Sequence, residues 1–267
     1  MASAQNGRTV VSARDHSDAA RIASAAGRLL LQIRAELATS GEDVTVIRSE
    51  GDRRSHAFIT GALADAHPDD AILSEEGTPE RRRLGARRVW IVDPLDGTRE
   101  FGDAGRADWA VHVALVVDGI PAAGAVALPA RGLTLATRPQ PQRPAPVARR
   151  PRLLVSRTRG PEIAARVADY IGAVLVPMGS AGAKTMAVVL GEADIYLHAG
   201  GQYEWDSAAP AAVAAAAGLH VSRLDGAPLR YNRPDPWLPD LLVCRPELAR
   251  LITAAVGTVG GRSFSAA

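Results

Sequence analysis

The sequence predicts a layered sandwich of α-helices and β-sheets, in which an α+β half is followed by an α/β half. Two observations carry this prediction. Residues 109–136 read as strands joined by tight turns, which is typical of an antiparallel sheet, whereas from Leu153 onward short apolar runs alternate with helical patterns. No internal repeat interrupts this order.

The composition is that of a globular protein. Of the 267 residues, 47% are hydrophobic, and 31 basic residues against 29 acidic ones leave a net charge of +2. Such a chain can bury a sizeable core, which argues against extended disorder. The nearly balanced charge and the 4% of aromatic residues argue against a nucleic-acid binder.

Cysteine content and hydropathy bear on the compartment. Cys244 is the single cysteine, so no disulfide forms within the chain and nothing points to an oxidising compartment. The stretch from Met1 to Arg14 lacks the apolar segment of a signal peptide. The Ala-rich run from Ser207 to Leu219 contains a proline and is too short to span a bilayer. We therefore expect a cytoplasmic protein without membrane segments.

Apolar periodicity predicts two helices in the first half, after a loose N-terminus. One runs from about Ser17 to Leu37 and the other from Arg53 to Ala66, with Phe58, Ile59 and Leu63 on one side. Strands follow, and Asp118-Gly119 is a strong signal for a hairpin turn between two of them. The predicted strands are Ala71–Leu73, Val89–Val92, Trp109–Val117, Ile120–Leu128 and Leu133–Ala136.

The second half begins after a proline-rich segment, Arg138 to Arg150, which has no apolar periodicity and reads as a long exposed loop or a boundary between lobes. Beyond it, strands and helices alternate up to a Gly-rich tail. The predicted strands are Leu153–Ser156, Val174–Val176, Asp194–Leu197, Leu219–Ser222 and Leu241–Cys244. The predicted helices are Pro161–Ile171, Ala181–Leu190, Asp206–Ala217 and Pro246–Val256.

Acidic residues stand at the ends of two of these strands, where ligand sites of α/β sheets tend to lie. Asp93-Pro94-Leu95-Asp96-Gly97-Thr98 follows one strand, and Glu75-Glu76 ends another. Because proline fixes φ, the turn can bring both aspartates and the Leu95 carbonyl to one side. Glu204-Trp205-Asp206 offers a third acidic group.

Each acidic group also has a structural interpretation. Asp-Pro and Asp-Gly are ordinary turn sequences, and Asp206 in isolation reads as the cap of the following helix. If Gly97 and Thr98 open a helix, however, its free N–H groups would favour a phosphate. Carboxylates there would repel the phosphate unless Mg²⁺, which prefers oxygen ligands, lay between them. Combined, the three groups favour metal-assisted phosphoryl chemistry.

Three ordered motifs resemble the inositol monophosphatase-like family of lithium-sensitive, Mg²⁺-dependent phosphatases. They are Ser74-Glu75-Glu76-Gly77, the hexapeptide 93–98, and Trp205-Asp206-Ser207-Ala208-Ala209. Within the family, Arg99-Glu100-Phe101 and Glu204-Trp205-Asp206 are similar to the CysQ branch, the 3′(2′),5′-bisphosphate nucleotidases. The resemblance implies the fold shared by inositol monophosphatase and fructose 1,6-bisphosphatase.

The resemblance also implies a centre of two to three Mg²⁺ ions. One ion would be held by Glu75, Asp93 and the Leu95 carbonyl. A second would be held by Asp93, Asp96 and Asp206, and a third would lie near Glu75. An N-terminal lobe, residues 1–140, would carry most of these ligands. A C-terminal lobe, residues 151–267, would carry the last one and the substrate contacts. We expect Asp96 and Asp206 to face solvent.

Catalysis is assigned by the same resemblance to Asp52, Thr98 and Glu75. In the family, a threonine after Asp-Gly works with an upstream aspartate to orient the attacking water. Thr98 matches that threonine, and counting back from the predicted second helix places Asp52 at the aspartate's position. Two alternatives stay open, because Asp52 could simply cap that helix and Glu50 could substitute for it.

The substrate contacts implied by the resemblance lie around a Gly-Ser-rich helix start. Lys184, the chain's only lysine, falls on a lysine common in the nucleotidase branch, although it could also be a solvated first-turn residue. His198 follows a strand at a place where relatives contact substrate. The predicted substrate-binding residues are Gly97, Thr98, Gly179, Ser180, Lys184 and His198.

The function implied is hydrolysis of the 3′-phosphate of adenosine 3′,5′-bisphosphate to give AMP and phosphate, in connection with sulfate assimilation. Two alternatives remain: a phosphatase acting on inositol 1-phosphate or fructose 1,6-bisphosphate, and an inactive nucleotide sensor. Tyr203 and Trp205 are candidates for an apolar surface under an adenine. The expected partner is a small phosphorylated substrate, with no nucleic acid and no membrane, and relatives are often homodimers.

Overall fold

A computed structural model describes residues 11–78, 80–145, 150–158 and 160–259. The N-terminus, the Gly-rich tail and part of the proline-rich segment therefore lie outside the described residues. Two five-stranded sheets and seven α-helices make up the described part. The helices are α1 Ala13–Thr39, α2 Val44–Ala66, α3 Thr98–Phe101, α4 Glu162–Ile171, α5 Ala181–Val189, α6 Glu204–Ala216 and α7 Ala249–Val259.

The first two helices begin earlier than their apolar periodicity predicts. Ser12 caps α1 in a capping box with Asp15, so α1 begins at Ala13, four residues before the predicted start. Asp43 caps α2 by accepting a hydrogen bond from the N–H of Thr45 at 2.7 Å. Asp52 therefore lies inside α2, and its interpretation as a helix cap is wrong. Phe58 is 37% exposed, so it does not share the buried side of α2.

The first sheet has the strand order β1-β2-β3-β4-β5. The strands are β1 Ala71–Ser74, β2 Arg88–Asp96, β3 Ala110–Val117, β4 Ile120–Leu128 and β5 Leu133–Ala136. β1 and β2 are parallel and the other pairs are antiparallel. At the β3–β4 hairpin, Asp118 and Gly119 have φ angles of 50° and 76°, as the predicted tight turn requires.

The second sheet has the order β7-β6-β8-β10-β9. The strands are β6 Arg152–Ser156, β7 Val174–Met178, β8 Ile195–Tyr203, β9 His220–Ser222 and β10 Trp237–Cys244. β6 is parallel to both β7 and β8, whereas β10 is antiparallel to its two neighbours. β8 extends to Tyr203, so His198 lies within this strand and not after it.

The elements stack in five layers, which confirms the predicted layered sandwich. A core of α1, α2 and one face of the first sheet contains Ile22, Leu30 and Trp90. A second core joins the other face of that sheet to α5, α6 and the second sheet, and a third lies between the second sheet and α4 and α7. The middle core draws on both halves of the chain, and their division into two lobes, residues 1–140 and 151–267, stays a prediction.

None of the described helices is both long enough and apolar enough to cross a membrane. The helices of the middle layer, α5 and α6, begin next to the end of β2. The end of β2 and the starts of these two helices surround a cavity of about 550 Å³ between the two sheets. Most of the predicted site residues line it.

Candidate active site

Four acidic side chains meet at the floor of the cavity. One carboxylate oxygen each of Asp93, Asp96 and Asp206 lies within 4.8 Å of the others, and Glu75 shares a hydrogen bond with Asp93. Asp93 and Asp96 come from the end of β2, Glu75 follows β1, and Asp206 lies in the first turn of α6. The fold therefore brings together the acidic groups from three separate parts of the chain.

The last residues of β2, Asp93–Asp96, lie at an irregularity of the β2–β3 pairing and are held by short contacts. The N–H of Leu95 donates to Oδ1 of Asp93 at 3.0 Å, and the carbonyl of Pro94 accepts from Oγ of Ser55 at 2.8 Å. Asp93 is 1% exposed and Leu95 is 1% exposed. The interpretation of Asp-Pro and Asp-Gly as ordinary turn sequences therefore does not explain this segment fully, because a surface turn does not bury an aspartate beside other carboxylates.

The crowding of like charges in this buried cluster raises the pKa values of three of the four acids. Burial and the charge of Asp206 raise the pKa of Glu75 to about 7. Burial and the charge of Asp96 raise the pKa of Asp206 to about 6. Burial and the charge of Glu75 raise the pKa of Asp93 well above its usual value. A cluster of this kind favours a bound cation.

Asp96 differs from the other three acids. Burial alone would raise its pKa, but hydrogen bonds from His112, Ser180 and Gly182 lower the pKa of Asp96 to about 2. The Ser180 hydroxyl and the Gly182 N–H donate to Oδ2 at 2.5 Å and 2.6 Å. Asp96 is only 7% exposed, so the expectation that it faces solvent is wrong. Asp206 is partly buried.

His112 is a site residue that the sequence analysis missed. It is fully buried in β3, opposite Asp93 in the β2–β3 register. Its Nδ1 lies 3.0 Å from the carbonyl of Trp205 and its Nε2 lies 3.2 Å from Oδ2 of Asp96. His112 thus connects the end of β2 to the start of α6. A lone histidine in an apolar strand gives no signal of such a role.

Replacing Gly182 with alanine is expected to lower the melting temperature by roughly 2–12 °C. The added methyl group would overlap Nε2 of His112, and overpacking costs about 1–3 kcal/mol, with about 2–4 °C for each kcal/mol in a chain of this size. Thermal melts followed by circular dichroism measure the change. Gly61→Ala is the control, because Gly61 is helical and has no atom within 4 Å of an added Cβ. An unchanged melting temperature in Gly182→Ala would contradict the prediction.

Thr98 and Asp52 meet at one edge of the acidic cluster. The Thr98 hydroxyl lies 3.2 Å from Oδ1 of Asp52 and 3.1 Å from the carbonyl of Leu95. Burial and the charge of Glu76 raise the pKa of Asp52 to about 7. Glu50 instead binds the guanidinium of Arg53 on the exposed side of α2, at 2.9 Å and 2.8 Å. The structure thus brings Asp52, and not Glu50, to Thr98.

Lys184 lines the wall of the cavity. It is 4% exposed, so the interpretation as a solvated residue is wrong. Its Nζ donates to the carbonyls of Gly179 and Ser180 at 3.2 Å and 2.7 Å and lies 5.1 Å from the ring centre of Tyr196. A cation so close to the acids partly offsets their charge.

The rim of the cavity holds further charged groups. Arg157, which directly follows β6, contacts Glu100 at 3.4 Å and Asp108 at 3.1 Å. Asp108 also accepts a hydrogen bond from the N–H of Gly179 at 2.7 Å. These contacts tie the two halves of the chain together beside the site. Sequence reasoning missed Arg157 and Asp108, because neither stands in a recognisable motif.

The helix-start residues do not all point at the cavity. α3 has only four residues, and Ser180, the cap of α5, directs its hydroxyl to Asp96.

The helix-cap interpretation of Asp206 is half right. Asp206 is the third residue of α6, and its Oδ2 accepts a hydrogen bond from the N–H of Tyr203 at 2.6 Å. Of the two aromatic candidates, Tyr203 lines the cavity. Trp205 is 9% exposed, stacks on Tyr203 and is not among the lining residues.

The donor set of the floor fits Mg²⁺. It consists of carboxylates and the Leu95 carbonyl, the oxygen ligands that this ion prefers. The raised pKa values of Glu75, Asp93 and Asp206 show that the folded chain holds more negative charge than the buried site can keep without a proton or a cation. Glu75, Asp93, Asp96 and Asp206 are therefore suited to share one or more ions.

Without divalent cations, the free energy of unfolding is expected to fall as pH rises from about 4 to about 7. The pKa values of Glu75 and Asp52 are about 7 in the folded chain, above their ordinary values of 4.5 and 3.8. The folded state thus binds more protons than the unfolded state in this window, and stability is lost as the protons leave. Thermal melts in EDTA measure the slope, and Mg²⁺ at matched ionic strength should restore the stability at pH 7.5. A flat or rising profile in EDTA would contradict the prediction.

Comparison with known proteins gives a consistent result. The chain is 48% identical over 257 residues to a 3′-phosphoadenosine 5′-phosphate phosphatase of Mycobacterium leprae, covering 92% of this chain and 94% of that protein. It is 31% identical over 198 residues to the 3′(2′),5′-bisphosphate nucleotidase CysQ of Escherichia coli, covering 70% of this chain and 80% of that protein.

A solved structure agrees with these relatives. The crystal structure of CysQ from Bacteroides thetaiotaomicron, a bacterial member of the inositol monophosphatase family, matches with a TM-score of 0.72 and 27% identity, over 87% of this chain and 97% of that one. The family model of the inositol monophosphatases matches residues 16–259. The resemblance carried by the three acidic motifs is confirmed, and this chain belongs to the inositol monophosphatase family.

Proposed function

We propose that this protein is a Mg²⁺-dependent phosphatase that hydrolyses the 3′-phosphate of adenosine 3′,5′-bisphosphate to AMP and phosphate. The observation that carries the proposal is the buried cluster of Asp93, Asp96 and Asp206, with Glu75 bound to Asp93. The names of the relatives at 48% and 31% identity, a phosphatase of this nucleotide and a bisphosphate nucleotidase, support the substrate.

Each cluster residue has a role in holding the ions. One Mg²⁺ would be held by Glu75, Asp93 and the Leu95 carbonyl. A second would be held by Asp93, Asp96 and Asp206. Glu75 would also lie near a third. Bound there, the ions supply charge stabilisation for the transferring phosphoryl group and activate the attacking water. Hydrogen bonds from Ser180 and Gly182, together with the 3.2 Å contact of His112 Nε2, keep Asp96 ionised and in place.

Thr98 and Asp52 orient the attacking water. The Thr98 hydroxyl lies 3.2 Å from Oδ1 of Asp52, to which it donates its proton, so its oxygen lone pairs are free to accept a hydrogen bond from water. Asp52, whose pKa is about 7, is able to take up a proton near neutral pH. The oxygen of water bonds to phosphorus as the water gives up a proton to Asp52, and the bond from phosphorus to the ribose 3′-oxygen breaks. That oxygen takes a proton from solvent.

The remaining part of the cavity would receive the nucleoside. Lys184 and His198 lie on its wall, and Gly97, Gly179 and Ser180 form the floor near the acids. Tyr203 is 46% exposed at the rim and is a candidate surface for the base. A cavity of about 550 Å³ has room for a mononucleotide.

The setting of the reaction follows from the same proposal. Adenosine 3′,5′-bisphosphate is a by-product of sulfate assimilation, so the enzyme would act in the cytoplasm and remove this by-product. Its partner would be the small phosphorylated substrate, without nucleic acid or membrane. A homodimer and inhibition by Li⁺ are part of the proposal, because the family resemblance implies both.

The test is Mg²⁺-dependent phosphate release from adenosine 3′,5′-bisphosphate, inositol 1-phosphate and fructose 1,6-bisphosphate. We expect kcat/KM for the nucleotide to be about 100-fold higher or more, which needs under about 3 kcal/mol of selective binding in the transition state. Comparable rates on the sugar phosphates would indicate a broad phosphatase. Release from none of the three would contradict the proposal and favour an inactive nucleotide sensor. An EDTA-treated sample is the control.

A further inference from the structure

The first turn of α6 is bonded to part of the connection between β9 and β10, residues 231–236, here called the anchor loop. Glu204, the first residue of α6, is fully buried. Its Oε2 accepts a hydrogen bond from the N–H of Asn232 at 2.7 Å, and its Oε1 accepts one from the N–H of Arg233 at 2.8 Å. Its own N–H donates to the carbonyl of Pro236 at 2.8 Å. Glu204 thus fastens the helix to the anchor loop through three hydrogen bonds.

Two further contacts hold the same turn of α6. The Ser207 hydroxyl lies 3.1 Å from the Tyr231 hydroxyl, and both side chains are buried. The carbonyl of Trp205 lies 3.0 Å from Nδ1 of His112. Asp206 therefore stands between residues that are bonded to other parts of the fold, and these bonds set where its carboxylate lies.

The anchor loop is in turn held by Arg83, a residue of the 3₁₀ helix Arg81–Gly85 that is only 2% exposed. The Arg83 guanidinium donates to Oδ1 of Asn232 and to the carbonyl of Arg233, both at 2.9 Å. It also donates to the carbonyl of Pro234 at 3.3 Å. The Asn232 amide donates back to the carbonyl of Arg83 at 2.7 Å. The loop is thus bonded to two separate parts of the chain.

Arg83 and Glu204 are buried opposite charges that bind different polar groups of the same loop residues. The main chain of Arg233 gives its N–H to Glu204 and its carbonyl to Arg83. Asn232 has a φ angle of 60°, a left-handed conformation that asparagine adopts more readily than most residues. Because a buried charge that loses its partners is left uncompensated, the two charges and the loop depend on one another.

We propose that Arg83, Asn232 and Glu204 are positioning residues that hold Asp206 where it binds Mg²⁺ and so set the affinity of the site for the ion. This inference rests on the proposed function, since it takes Asp206 as a metal ligand. None of the three is among the residues that line the cavity, so their contribution passes through Asp206. Groups that orient a metal ligand contribute about 10- to 100-fold to metal affinity or activity.

The test measures the binding of Mn²⁺ alone, without substrate, by electron paramagnetic resonance. Mn²⁺ shares the preference of Mg²⁺ for oxygen ligands. We expect Arg83→Met to raise the Kd for Mn²⁺ by about 10-fold or more. Asn232→Gly should raise it by about 5-fold, because glycine keeps the left-handed backbone but loses the side-chain bonds to Arg83.

Phosphate release gives a second readout of the same two variants. The Mg²⁺ concentration for half-maximal rate should rise by the same factors as the Kd for Mn²⁺, whereas kcat at saturating Mg²⁺ should stay within about 3-fold of the wild type. This split is expected because the ion, once bound, meets the same carboxylates. A general loss of folded protein would instead lower the rate at every Mg²⁺ concentration.

Two controls separate positioning from charge and from stability. Arg166→Met removes an exposed arginine of α4, so it matches the charge change of Arg83→Met away from the anchor loop. Loss of a positive charge by itself favours a bound cation, so a weaker hold on Mn²⁺ in Arg83→Met is not a charge effect. Val167→Ala destabilises the core beside α4 and should lower the melting temperature without changing the Kd.

The inference would be overturned by an unchanged or lower Kd in folded Arg83→Met and Asn232→Gly, or by an equal rise in Val167→Ala. If the wild-type protein binds no Mn²⁺, the proposed function itself fails at its metal site. Tight binding by the wild type together with unchanged variants overturns only the role of the anchor loop, so the two failures are distinguishable.

Discussion

Replacing Asp206 with alanine is expected to reduce kcat for Mg²⁺-dependent phosphate release by about 1,000-fold or more. Asp206 supplies one of three carboxylate oxygens that lie within 4.8 Å of one another. Removing it weakens the hold on an ion whose charge stabilisation is worth several kcal/mol, and about 4 kcal/mol corresponds to a thousandfold change in rate. Steady-state phosphate release over a range of Mg²⁺ concentrations measures the effect.

The fold of Asp206→Ala should stay intact. The variant loses the bond from the N–H of Tyr203, which costs about 0.5–2 kcal/mol. It also removes one of the like charges that raise the pKa of Glu75, which offsets part of this cost. Asp65→Ala is the matched control, since Asp65 is exposed on α2. Near-normal activity of a folded Asp206→Ala protein would mean that the proposed site is wrong.

Replacing Asp52 with asparagine is expected to lower kcat by about 100-fold or more, with a smaller effect on KM. General-base and orienting groups contribute about 100- to 10,000-fold, and the Thr98 hydroxyl lies 3.2 Å from Oδ1 of Asp52. Asparagine keeps an oxygen for this hydrogen bond but cannot accept a proton. The activity that remains should also lose its dependence on a group that titrates near pH 7.

Glu50→Gln is the matched control for Asp52→Asn, because the sequence leaves both acids open as the orienting group. Glu50 binds Arg53 on the exposed side of α2, so its replacement should change kcat less than about 2-fold. The pH dependence of kcat, measured for both variants and the wild type, distinguishes the two acids. A larger loss in Glu50→Gln than in Asp52→Asn would reverse the assignment.

Local signals predicted much of the fold. The apolar run before Asp93 predicts a strand that ends in the acids, and β2 has that form. The Asp118-Gly119 hairpin turn forms where two positive φ angles are required. The starts of α1 and α2 were misplaced, although their caps, Ser12 and Asp43, are themselves local signals. Apolar periodicity marks the buried side of a helix, and a helix can extend beyond it.

The sequence by itself determined which acids are present, their order along the chain and the family to which the chain belongs, because motifs of adjacent residues carry this information. Only the tertiary structure decided what surrounds each acid. The hydrogen bonds to Asp96 come from Ser180 and Gly182, 84 and 86 positions away.

The burial of Lys184, the contact of His112 with Asp96 and the hydrogen bonds of Glu204 to the anchor loop were decided in the same way. Hydrophobic periodicity specifies which face of an element is buried. It does not specify which polar groups of distant elements meet there, since that depends on how the layers pack.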